Sequence, residues 1–212
     1  GLEFRIWPEV TAEDETLVLA SLRQDQHAFG PHASALQTEF AAWNGNDHCF
    51  ATNSGTAALH MCIAACGISP GDEVITPALS WTSSASSILH HNAIPIFVDV
   101  DWDSMHIDPA AIEAAITERT RAILVVHYWG VSCDMDPILD IASRHGLRVI
   151  EDACQAVGAT YKGRRTGTLG DVAAFSLNQN KNLTGGEGGL FVTNDETLFT
   201  RGKAVSAFSD MR

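Results

Sequence analysis

The 212-residue chain contains no apolar run near the roughly 20 residues that a membrane-crossing helix needs. The best candidate, Ala122 to Val126, is cut short by His127. No basic-then-apolar leader opens the chain. Basic residues are scarce: 13 Lys and Arg stand against 26 Asp and Glu, a formal net charge of −13. A surface that acidic repels nucleic-acid phosphates and anionic lipid, so neither nucleic acid nor membrane is expected as a partner. Internal repeats and low-complexity linkers are absent as well. The five cysteines, Cys49, Cys62, Cys66, Cys133 and Cys154, are odd in number and fit no disulfide framework or zinc spacing. Cys62 and Cys66 share one face of an expected helix and read as small core residues, so no metal is expected. A reducing, cytoplasmic location is the simplest expectation.

Core-forming material is plentiful. Hydrophobic residues make up 45% of the chain and charged residues 18%, which suits a folded domain. Short β-rich runs alternate with helical stretches. Strands are expected at His48 to Thr52, Glu73 to Thr76, Ile94 to Val98, Arg121 to Val126, Leu147 to Ile150, Val172 to Ser176 and Leu190 to Thr193. Helices are expected from Gly55 to Cys66 and from Ser83 to His91. Asp108-Pro109 and Asp136-Pro137 each pair a capping acceptor with a proline suited to the first helical position, and start two more. This alternation predicts an α/β fold with a mostly parallel sheet. Ligands of such sheets gather beyond the carboxyl ends of the strands.

The chemically suggestive residues fall at those ends. Asn53-Ser54-Gly55-Thr56 joins a strand to a helix, where free N–H groups attract an anion and Ser54 and Thr56 add hydroxyls. There is no Walker lysine, and a plain helix cap remains an alternative. Trp81 follows another strand and could stack on a flat ring or sit in the core. Glu151-Asp152 closes a third strand; a carboxylate there can hold a protonated heterocyclic nitrogen, or merely cap a helix. Gln155 lies within reach of the same place. Lys181 leaves a fourth strand and enters the glycine-rich segment Gly185-Gly186-Glu187-Gly188-Gly189, a setting in which an amine can condense with an aldehyde. A phosphate cradle, a stacking aromatic, a carboxylate and a condensing lysine are together what pyridoxal 5'-phosphate demands.

The sequence resembles the DegT/DnrJ/EryC1/StrS sugar aminotransferases, within the fold type I pyridoxal-phosphate enzymes. The likeness is carried by Asn53-Ser54-Gly55-Thr56-Ala57-Ala58-Leu59-His60, Gly71-Asp72-Glu73-Val74-Ile75, Val98-Asp99-Val100-Asp101, Ile150-Glu151-Asp152-Ala153 and Lys181 through Gly189. It implies a three-layer α/β large domain at residues 31–212, preceded by an N-terminal arm and helix at residues 1–30. It implies that Ser54, Gly55, Thr56 and Ser176 bind the cofactor phosphate and that Trp81 stacks on the ring. Asp152 would pair with the ring nitrogen and Gln155 would contact the ring hydroxyl. Lys181 would be both the Schiff-base amine and the proton carrier, making Lys181 and Asp152 the catalytic pair.

The implied reaction moves nitrogen from glutamate or glutamine to a nucleotide-linked keto-sugar or a keto-cyclitol. A dehydratase, or a non-catalytic cofactor-binding half, are the alternatives; Lys181 argues against the dehydratase branch, which carries histidine there. His127-Tyr128-Trp129-Gly130 departs from the commoner His-Leu-Tyr-Gly, on the substrate side. Family members are roughly twice this long, so the small C-terminal domain and the sheet elements after Thr193 are expected to be absent. That would leave apolar surface and an unpaired strand edge exposed and favour a homodimer or an assembly with a chain carrying the C-terminal half.

Overall fold

A computed structural model describes residues 9–24 and 30–206. Residues 1–8 and 25–29 of the expected arm, and 207–212 of the expected large domain, lie outside the described residues. Local signals place the elements. Thr11 caps α1 (Ala12–Leu22) reciprocally with Asp14: the Asp14 N–H donates to Thr11 Oγ1 at 3.2 Å and the Thr11 N–H donates to the Asp14 carboxylate at 2.8 Å. Pro31 in the first turn and left-handed Gly45 just past the end bracket α2 (Pro31–Asn44). β1 (His48–Thr52) then leads to α3 (Gly55–Ala65), β2 (Glu73–Pro77) to α4 (Ser83–Leu89), and β3 (Ile94–Val98) to α5 (Pro109–Ala115). Asp108 caps α5 by accepting from the Ala110 N–H at 2.9 Å. β4 (Thr120–Val126) passes through a single 3-10 turn at Tyr128–Gly130 into α6 (Met135–His145) and β5 (Arg148–Asp152). A small hairpin, β6 (Thr160–Tyr161) with β7 (Arg164–Arg165), precedes β8 (Val172–Ser176), β9 (Gly189–Thr193) and α7 (Glu196–Ala204).

Several expected boundaries move by one or two residues, and two of these shifts have a clear tertiary cause. α6 starts at Met135 behind Asp134, ahead of the Asp136-Pro137 signal. The Tyr161 hydroxyl, brought in by the hairpin, donates to Asp134 and accepts from the Asp136 N–H at 3.2 Å, so a distant side chain satisfies the helix start. Pro137 then sits within the first turn, where its missing N–H is no loss. β5 continues past Ile150 because Glu151 and Asp152 remain in register with Val125 and Val126 of β4. α2, the hairpin and α7 were not expected from the sequence. The apolar stripe of α2 is thin: its buried residues are Phe40, Ala41 and Asn44.

The strands form one seven-stranded sheet in the order β1-β9-β8-β5-β4-β2-β3. β3, β2, β4, β5 and β8 are mutually parallel; β9 runs against both of its neighbours, β8 and β1. The edges of the sheet are β1 and β3, and β9 lies inside it. β9 is paired along its length on both sides, because β1 returns from the start of the chain to cover it.

Period-two alternation divides the strands cleanly between two faces. Ala122, Leu124, Val126, Ile150, Val172, Ala174 and Phe191 pack with α3, α4 and α7. Ile123, Val125 and Val149 pack with α5 and α6, and Ala173, Phe175, Leu190 and Val192 pack with α2. The result is the three-layer arrangement implied by the resemblance.

At the end of β5 the same alternation sends two carboxylates opposite ways. Glu151 is fully buried and accepts from the N–H groups of Gly167 (2.8 Å), Leu169 (2.7 Å) and Gly170 (2.6 Å). Its fourth partner is His127 Nε2 at 2.8 Å. His127 Nδ1 accepts from the Cys133 N–H at 3.1 Å, so the ring proton sits on Nε2 and is donated to Glu151. Burial pushes the Glu151 carboxyl up, but the bonds from His127 and from the Gly170 and Gly167 N–H groups outweigh it and hold the pKa below the ordinary value. A depressed carboxyl pKa contributes stability above the unfolded-state value near 4.5, and that contribution is lost as pH falls through the folded value. Glu151→Gln replaces an all-acceptor group by one whose NH2 must face N–H donors. It is expected to cost about 3 kcal/mol in urea unfolding at pH 7, with the deficit relative to wild type shrinking in acid. An equal deficit at every pH would contradict this assignment.

Candidate cofactor site

The carboxyl ends of β1, β5 and β8 and the starts of α3 and α4 surround one cavity of about 340 Å³. At the α3 end, Ser54 is extended and caps the helix, its Oγ accepting from the Ala57 N–H at 3.1 Å. This 11-residue helix directs the partial positive charge of its start, at Gly55 and Thr56, into the cavity. The strand ends meet there with no room to spare. A Cβ on Gly55 would lie 2.8 Å from Cys154 Sγ and 2.9 Å from Ser176 Cβ; one on Gly189 would lie 2.4 Å from the Ser54 carbonyl oxygen. Hydroxyls ring the helix start. Thr56 Oγ1 and Ser83 Oγ are 2.7 Å apart, and Ser176 Oγ accepts from the Asn178 N–H at 3.3 Å.

Across the cavity, Asp152 is 5% exposed. The Ser84 hydroxyl donates to its Oδ2 at 2.7 Å and the Cys154 N–H donates to its Oδ1 at 3.2 Å. Two neutral donors thus hold the carboxylate and leave acceptor capacity on both oxygens for a ligand N–H. Gln155 follows, its Oε1 accepting from the Trp129 N–H at 3.0 Å. With the oxygen committed, its NH2 is the group left to donate. Trp129 makes this bond from a left-handed backbone, φ 53°, and is 79% exposed. Trp81, 73% exposed, lines the cavity from the segment between β2 and α4.

Lys181 enters from the loop between β8 and β9. Its N–H donates to the Asn178 carbonyl at 2.9 Å. The Asn178 side-chain amide donates to Glu187 at 2.8 Å and ties the two limbs of that loop. A second, open cavity of about 450 Å³ shares Gln155, Asn180 and Lys181 with the first and adds Trp129 and Asn182.

All eight residues singled out in the sequence, Ser54, Gly55, Thr56, Trp81, Asp152, Gln155, Ser176 and Lys181, line the first cavity. Ser83, Ser84, Asn178, Asn180 and Glu187 line it or support it and were not anticipated. Ser83 and Ser84 come shortly after Trp81, at the start of the helix beyond the β2 strand end, a region where side chains of interest collect in such sheets. That signal was available, but serines at a helix start read first as caps.

The sequence model of the DegT/DnrJ/EryC1/StrS aminotransferase family matches residues 8–211. GDP-perosamine synthase from Caulobacter vibrioides is 53% identical over 163 residues, covering 77% of this chain and 44% of that protein. L-glutamine:2-deoxy-scyllo-inosose aminotransferase from Streptoalloteichus tenebrarius is 43% identical over 203 residues, covering 92% and 48%. The crystal structure of an aminotransferase from Psychrobacter cryohalolentis superposes with a TM-score of 0.91 at 40% identity, over 95% of this chain and 52% of that one. The chain spans about half the length of the relatives it matches. A match along nearly the whole sequence, on a fold of the same topology with the motif residues gathered at one cavity, places this chain in the DegT/DnrJ/EryC1/StrS aminotransferase family.

Proposed function

We propose that this chain is the cofactor-holding part of a pyridoxal-phosphate-dependent aminotransferase that passes nitrogen from glutamate or glutamine to a keto-sugar or keto-cyclitol. The observation that carries the reading is the convergence of Lys181, Asp152 and the α3 start on one cavity. The residues fit the group. The helix start with Ser54, Thr56 and Ser176 suits a phosphate dianion. The Trp81 indole offers a face for a flat ring. Asp152, buried and held by neutral donors, suits a protonated ring nitrogen. The Gln155 NH2 suits a ring oxygen.

When bound, pyridoxal phosphate supplies an aldehyde that condenses with amines and a ring that withdraws electrons from the amine-bearing carbon. Lys181 Nζ would hold the group covalently and, as a free amine, would carry a proton to and from the reacting carbon. Asp152 fixes the ring nitrogen in its protonated form. The acceptor approaches from the open cavity bounded by Trp129, Asn180 and Asn182. Amide side chains and an indole face there suit an uncharged polyhydroxylated ring, in keeping with the names of the two relatives.

The reading includes a cytoplasmic location, supported by five free cysteines. It also includes an oligomer, either a homodimer or an assembly with a chain that carries a C-terminal half. Exposed Leu89, Ile94 and Phe97 near the β3 edge support association. Sedimentation of the purified chain decides the point, and a fully active monomer would rule it out.

Borohydride reduction of cofactor-loaded protein followed by peptide mass mapping is expected to place the label on Lys181. A label on Lys162, or none in saturated protein, defeats the proposal. Asp152→Asn is expected to slow the half-reaction with the amino donor on the order of 10²-fold or more, while cofactor affinity falls far less, because phosphate and stacking contacts remain. A normal single-turnover rate in this variant would remove Asp152 from the chemistry.

A further inference from the structure

The first turn of α4 contains a hydrogen-bond arrangement that a helix does not need. A serine near a helix start ordinarily spends its hydroxyl on nearby backbone. Ser87 does so, donating to the Ser84 carbonyl at 3.2 Å. Ser84 does not. It is 1% exposed, and its hydroxyl reaches Oδ2 of Asp152, 68 residues away, at 2.7 Å. Its oxygen also lies 2.7 Å from Ser80 Oγ.

Direction follows from counting protons. A serine has one hydroxyl proton, and a carboxylate can only accept. The Ser84 proton goes to Asp152, so the proton between the two serines is the one on Ser80. Ser80 donates to Ser84, and Ser84 donates to Asp152. Each link polarises the next and strengthens the terminal bond in a buried setting. The chain ends on one carboxylate oxygen, while the Cys154 N–H occupies the other at 3.2 Å. The carboxylate is thereby fixed in rotation and kept as an acceptor toward the cavity.

We propose that Ser84, itself oriented by Ser80, is a positioning residue for Asp152, setting how firmly that carboxylate holds a protonated ring nitrogen in the cavity. This rests on the reading of the cavity as a pyridoxal-phosphate site. Removing the Ser84 hydroxyl destabilises the carboxylate relative to its protonated form, which draws the shared proton away from the ring. A less firmly protonated ring withdraws fewer electrons, so the pH-dependent absorption change of the bound cofactor moves to higher pH.

The test is a spectrophotometric pH titration of cofactor-loaded wild type, Ser84→Ala, Ser80→Ala and the double variant, with cofactor affinity measured by fluorescence on the same proteins. Ser84→Ala is expected to raise the titration midpoint by about one pH unit, and Ser80→Ala by less. The double variant should match Ser84→Ala, because Ser80 acts only through Ser84. Affinity is expected to change less than tenfold in all three. An unchanged midpoint in folded Ser84→Ala overturns the proposal, as does a Ser80 effect that adds in full on the Ser84→Ala background. Should Ser84→Ala fail to fold, an unchanged midpoint in Ser80→Ala overturns it instead. A wild-type chain that takes up no pyridoxal phosphate overturns the cavity assignment and this proposal with it, whereas normal uptake with unmoved midpoints overturns this proposal alone.

Discussion

The site depends on the pleat of a single strand end. Glu151 and Asp152 are adjacent carboxylates on β5, and like charges that close would repel if both faced the same low-dielectric space. The strand sends them to opposite faces of the sheet. Glu151 is absorbed by three backbone N–H groups and His127, all on the α5 and α6 side. That clamp fixes β5 against the segment after β4 and the 167–170 turn, and the His127 N–H donates to the Asp152 carbonyl at 3.1 Å. Asp152 therefore arrives at the cavity on a strand end that is held from behind. A slip of one residue in β5 would exchange the two carboxylates and bury Asp152 among partners arranged for Glu151.

Close approach at the α3 start is the second constraint. Phosphate binding by backbone N–H groups needs the helix start near the strand ends that supply hydroxyls. Gly55 and Gly189 make that possible by having no side chain where Cys154, Ser176 and the Ser54 carbonyl come within 3 Å of a built Cβ. The antiparallel strand β9 belongs to the same solution. Running against its neighbours, it brings Gly189 back to the rim where β1 and β8 end, and so closes the loop that presents Lys181.

The sheet is legible in the sequence because its central strands are buried on both faces and are written as apolar runs such as Ala122 to Val126 and Val172 to Ser176. Seven of the eight candidate residues stand out because they lie at or shortly beyond the end of such a run, whereas Ser176, the last residue of β8, is singled out only by the family resemblance. What escaped notice depends on tertiary partners. The start of α6 is set by Tyr161, a residue of a hairpin too short to show a strand pattern. The pairing of β9 with β1 joins residues far apart in the sequence, which no local pattern announces. In the sequence His127 reads as the end of an apolar run and the head of a four-residue motif. Its bond to Glu151 cannot be read from spacing, because parallel pairing of β4 and β5 brings the two together.

α4 shows how function constrains sequence at a cost in local preference. Its residues, Ser83-Ser84-Ala85-Ser86-Ser87-Ile88-Leu89, are rich in serine, a weaker helix former than alanine or leucine. Thr82 makes no side-chain cap bond. On propensity alone a seven-residue segment of this kind would be marginal. Tertiary contacts stabilise it instead: Ile88 is fully buried in the core shared with α3, and Ser83 and Ser84 bond to Thr56 and Asp152. The hydroxyls that weaken the isolated helix are the ones that join it to the α3 end and the carboxylate end of the cavity. Replacing them with alanine would improve local helicity while cutting both links, so helix preference and site geometry pull in opposite directions, and the sequence follows the site.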